Sequence, residues 1–81
     1  MKRITLIPVA GETKELTSTT LEAMQKAVEG YVERVPLKGR RVLLVNEEGL
    51  IHGMELNPRA SALAGKPLVG PAVLLEGPCG W

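Results

Sequence analysis

The apolar positions of this chain change period from segment to segment, and each period predicts an element. Residues 3–9 (RITLIPV) are rich in β-formers and bounded by Ala10-Gly11, which predicts a first strand. A weaker second strand is expected around Lys14–Leu16 within a polar stretch. From Leu21 the spacing changes. Leu21, Met24, Val28 and Tyr31 or Val32 fall on one stripe near the helical period, which predicts an amphipathic helix. Thr19 followed by Glu22 reads as a capping box, and Glu22 with Lys26 forms a favourable i,i+4 pair. Gly30 is placed to end the helix in the left-handed region.

Beyond this helix the pattern returns to strands. Tyr31–Leu37 alternates apolar and charged residues, with Pro36 marking its end and Lys38-Gly39-Arg40 as a tight connection. Arg41–Asn46 contains the unbroken apolar run Val42-Leu43-Leu44-Val45, as expected of an interior strand. Asn46-Glu47-Glu48-Gly49 reads as a turn whose glycine supplies a positive φ, leading to a partner strand at Leu50–Met54. Asn57 is a natural N-cap, Pro58 suits the first helical position and Gly65 suits the C′ position, so a second helix of at most two turns is expected. Leu68–Leu75 is the expected last strand, and Pro71 would place it at a sheet edge or a bulge. This order predicts an α+β fold: a mainly antiparallel sheet packed in two layers against one amphipathic helix, plus a second short helix. Residues 1–76 would form a single domain, with 77–81 as a tail of no clear structure.

Composition narrows the function classes. An 81-residue chain has room for one core, and domains of this size bury only roughly 60–65% of their unfolded surface, so association with a second copy would help stability. The net charge is +1 and is spread evenly: residues 1–40 carry seven basic and five acidic side chains, residues 41–81 three and four. Tyr31 and Trp81 are the only aromatic residues. Nucleic-acid binding wants a basic stripe or stacking aromatics, so nucleic acid is not the expected partner. The lone Cys79 fits a reducing cytoplasm. The short apolar run near the N-terminus contains Pro8 and is too brief for a signal peptide, and nothing approaches a membrane span. A cytoplasmic protein with no membrane partner is expected.

No catalytic, metal or cofactor motif occurs, which points to a non-enzymatic protein. Glu47-Glu48 are adjacent in a turn and should diverge, and His52 has no nucleophile motif nearby, so neither predicts catalysis. The polar groups that could touch a ligand concentrate between Asn46 and Gly65. A helix N-terminus at Asn57 favours anions, Arg59 in its first turn offers a planar fork, and Ser61 and His52 are neighbouring donors. The plainer reading is that Asn57 only caps the helix and Arg59 pairs with Glu55 or a turn carboxylate. Arg40 and Arg41, with Lys38, could recruit an anion, or simply blunt the edge of a hydrophobic strand.

The segments LEAMQKAVEGYVERVPL, VNEEGL, LNPRASAL and LVGPAVLL together resemble a small domain family of unknown function found in phages, prophages, plasmids and their bacterial hosts. The similarity runs from the first strand to about Leu75. Its most specific parts are Val28-Glu29-Gly30-Tyr31, Asn46-Glu47-Glu48-Gly49, and Asn57 with Arg59-Ala60. The resemblance implies a mobile-element setting and no established activity. Two functions are therefore expected: binding or sequestering a small anionic, nucleotide-like ligand, with Arg59, Asn57, Ser61, His52, Arg40 and Arg41 as contacts, or inhibiting or adapting a host protein.

Overall fold

The computed structural model describes residues 3–77 and 81. Among these, five strands form one antiparallel sheet: β1 (Arg3–Ile7), β2 (Lys14–Glu15), β3 (Val32–Leu37), β4 (Arg41–Asn46) and β5 (Ala72–Glu76). Two helices accompany it, α1 (Leu21–Val28) and α2 (Pro58–Ala64). The sheet order is β2-β1-β5-β4-β3, so the last strand is the central one and β2 and β3 are the edges. This is the α+β fold that the periodicity predicts.

Because side chains alternate across a strand, the run Val42–Val45 must face both ways, and it does. Val42 and Leu44, with Val73 and Leu75 of β5, pack under Met24 and Val28 of α1. Leu43 and Val45 turn to the opposite face and join Val35, Ala60 of α2, Leu68 and Ala72. The expected two-layer arrangement is therefore corrected: both faces of the sheet are covered, α1 on one side and α2 with the Leu68 segment on the other. Met24, Leu43, Leu44 and Leu75 are fully buried, and each contributes about 2–3 kcal/mol of transfer free energy.

Several local expectations shift. The N-cap of α1 is Thr20, whose side chain accepts from the Ala23 N–H at 3.2 Å, in place of a Thr19–Glu22 box. The left-handed C-terminal residue is Glu29 (φ 64), not Gly30. Gly30 is required for a different reason: a Cβ there would lie 2.6 Å from Asn46 Nδ2. The stretch Leu50–Met54 is not a strand. His52 N–H donates to Glu48 C=O and Met54 N–H to Gly49 C=O, so the segment closes as a compact turn. Gly49 supplies no positive φ; it is small because a Cβ would meet Val69 Cγ2 at 2.8 Å. The last strand begins at Ala72 rather than Leu68, and Pro71 precedes a central strand instead of marking an edge.

Pro36 lies inside β3 rather than at its end, and its place follows from the ladder. Glu47 N–H donates to Tyr31 C=O at 2.8 Å, in register with the pairing Val32↔Asn46 through Leu37↔Arg41. Hydrogen-bonded and non-bonded pairs alternate in an antiparallel ladder. Residues 33, 35 and 37 therefore turn their backbone groups to β4, and residues 32, 34 and 36 turn theirs to solvent. The donor that proline lacks is one the sheet does not use. The edge of β3 presents the N–H and C=O groups of Val32 and Arg34 and the Pro36 carbonyl.

Candidate functional site

Three polar residues hold together the end of the sheet where β1 and β4 finish. Asn57 is fully buried. Its Nδ2 donates to the carbonyls of Ile7 and Gly70, both at 2.9 Å, while Oδ1 accepts from the Ala60 N–H at 3.1 Å and caps α2. Asn46 is also buried. Its Nδ2 donates to Val28 C=O at 3.0 Å and its Oδ1 accepts from the Glu48 N–H at 2.8 Å, tying the end of α1 to the turn after β4. Ser61 Oγ donates to Leu68 C=O and accepts from the Leu68 N–H, closing the loop behind α2.

These bonds decide which of the sequence-predicted ligand residues face solvent. Asn57 has both amide protons engaged and no exposed surface, and Ser61 is committed to Leu68. Arg59 is exposed, and its guanidinium donates to Pro8 C=O at 2.6 Å over the end of β1. His52 is exposed on the turn, with Nε2 3.6 Å from Glu48 Oε1. Arg40 and Arg41 sit at the opposite end of the sheet, because Arg41 pairs with Glu76 at the start of β4 whereas Asn46 ends it. Six strand residues separate these ends by about 17 Å. Arg41 Nε donates to Lys38 C=O, and Arg40 holds a left-handed φ of 56 in the hairpin turn. The six residues therefore do not gather into one site. No hydrogen bond or ion pair among the described residues links His52 to Arg59.

What the structure does assemble is a cleft of about 450 Å³ on the α2 face, beside β3. Its floor is Val45, Gly49 and Leu68; one lip is Leu50-Ile51 and the other Lys66-Pro67. Gly49 permits the turn to approach Val69, which closes the base. Leu50 and Ile51 are 82% and 81% exposed, an adjacent pair of large aliphatic side chains left in water. Glu33, Glu47 and Glu48 also line the cleft, against a single cation, Lys66. Its formal charge is thus negative, and Arg59 lies outside it.

Sequence reasoning missed Leu50 and Ile51 because Leu50–Met54 reads as half a hairpin, in which one of the two aliphatics would have been buried, and it missed Glu33 because only the pairing with Val45 brings that residue to the cleft. The available signal was the failure of that segment to alternate: two apolar residues, then His52-Gly53. Among the described residues, no group of three or more His, Cys, Asp or Glu is placed to hold a metal ion. No helix among the described residues is long and apolar enough to cross a membrane. Cys79 lies outside the described residues.

Fold and cleft together define a small α+β domain with an open sheet edge beside an apolar-floored groove. The model of a domain of unknown function, DUF3846, matches residues 1–80, and the chain belongs to that family. No curated protein and no solved structure matches.

Proposed function

We propose that this is a non-catalytic binding domain, of the mobile-element type its sequence resembles, that acts by engaging another protein through the cleft beside β3. The observation that carries the reading is the exposed pair Leu50-Ile51 at the lip of that cleft. Adjacent exposed aliphatics over an apolar-floored groove are a recognition feature more than a folding one. Since both side chains are solvated, replacing them should leave stability within about 0.5 kcal/mol. The test is affinity capture from bacterial lysate with the parent chain and with the Leu50→Asp, Ile51→Asp double variant. A partner retained by the first and lost by the second, with unchanged thermal unfolding, supports the reading; equal capture by both removes it.

A second reading keeps the small anionic ligand and rests on Arg59. Its guanidinium is exposed and its donation to Pro8 C=O leaves further N–H donors on the fork. Native mass spectrometry of the purified protein tests this directly. A nucleotide-like adduct lost in Arg59→Ala would favour it, and an adduct-free spectrum would count against it. Glu33, Glu47 and Glu48 make the cleft beside β3 a poor place for an anion.

A further inference from the structure

The edge of β3 and the cleft beside it form one continuous surface. The backbone groups of Val32 and Arg34 face outward, as the 31↔47 hydrogen-bonded pairing dictates. The side chain of Glu33, between them, points to the cleft face and lines the cleft together with its cross-strand partner Val45. An extended chain laid against β3 would bond to those groups and send every second side chain over the cleft.

We propose that β3 accepts an extended, lysine- or arginine-bearing segment of a partner protein as an added strand. The inference rests on the protein-binding reading above and names the mode and chemistry of the contact. Charge selects the occupant. A basic side chain opposite Glu33 makes a favourable cross-strand pair and continues toward Glu47 and Glu48. An apolar side chain two positions away reaches the space between Leu50-Ile51 and Pro67. The same charges disfavour a second copy of this chain as the occupant. Symmetric pairing of two β3 edges sets Glu33 against Glu33 in one register and Arg34 against Arg34 in the next, and like charges directly opposite are destabilising. The other edge, β2, has two residues and offers little ladder.

The probes are a short blocked peptide alternating valine and lysine, and its counterpart with glutamate in place of lysine. Binding is followed by amide chemical-shift changes and by fluorescence anisotropy. The lysine peptide is expected to shift the amides of Val32, Glu33, Arg34 and Leu50, and to bind about tenfold more tightly than the glutamate peptide, the size of effect that one or two cross-strand charge pairs supply. Glu33→Lys should invert that preference. Arg34→Pro removes only an outward N–H, so the fold should persist while binding falls by about tenfold or more. Arg34→Ala, which keeps the N–H, should bind the lysine peptide at least as well as the parent. Shifts that map elsewhere, no binding, or equal binding of the two peptides overturn the inference. If a captured partner still depends on Leu50 and Ile51 but ignores Arg34→Pro, the binding function stands and strand addition fails. A shift to dimer in light scattering without peptide would replace the partner strand by a second copy and also overturn it.

Discussion

Asn57 shows how a single side chain can be read correctly for one role and incompletely for its whole contribution. Its position before Pro58 makes the N-cap legible, and the cap is there. What the local sequence does not reveal is that the same amide bridges Ile7 and Gly70, residues 50 and 13 positions away. Asn57→Ala leaves those carbonyls without a donor and is expected to cost about 2–4 kcal/mol, measured by urea unfolding. Asn57→Asp separates the two roles. Aspartate caps a helix as well as asparagine does, yet it would point an oxygen at two carbonyl oxygens. It should be at least as destabilising as alanine, and an aspartate variant of near-parental stability would show that capping alone matters. Glycine and its neighbour before Tyr31 carry a paired prediction. Glu29→Gly relieves a left-handed φ and should stabilise by about 0.5–1 kcal/mol. Gly30→Ala should destabilise by about 1–3 kcal/mol, because Asn46 must give up its bond to Val28.

At the level of elements, the helices and the strands with strong periodicity are where the pattern places them, and the differences cluster where two kinds of segment share one signature. The amphipathic stripe of α1 and the double-sided run of β4 leave few alternatives, since each demands a particular number of buried faces. Leu50–Met54 is apolar enough for a strand, but its backbone closes on itself through Glu48 and Gly49, so the segment becomes a projecting turn. The candidate site suffers most from that difference. Arg40 and Arg41 are near Asn46 in sequence but a strand's length away in space, whereas Glu33 and Lys66, distant in sequence, meet at the cleft. Charge spacing along the chain carries no information about such meetings. The element-level expectation for the turn is kinetic: amides of residues 47–53 should exchange with solvent far faster than those of β4 and β5 in a hydrogen-exchange experiment, since few buried contacts hold them.

For the molecule as a whole, the decisive fact is that β5 is central while last in the chain. β1 pairs with β5 from Arg3↔Glu76 to Ile7↔Ala72, and β4 pairs with its other side. Without β5 the sheet falls into two pieces, β2-β1 and β4-β3, and both cores lose residues: Val73 and Leu75 from one, Ala72 from the other. Removing residues 72–81 is therefore expected to abolish cooperative unfolding and amide dispersion altogether, not to yield a trimmed domain. Such long-range closure also predicts folding in the slower range for a chain of this size.

The position of Trp81 has a practical corollary. Its indole N–H donates to Thr19 C=O at 2.9 Å and its ring packs on the core beneath α1, at the end of the sheet where Glu76 meets Arg3 and Arg41. Tyr31, the only other aromatic residue, lies at the opposite end, where its carbonyl accepts from Glu47 beside the cleft. The chain thus carries two intrinsic chromophores, one at each pole. The indole and phenol ring resonances are distinct, so in one unlabelled sample Trp81 reports whether the packing beneath α1 is intact, while Tyr31 reports changes at the end of β3 next to Glu48.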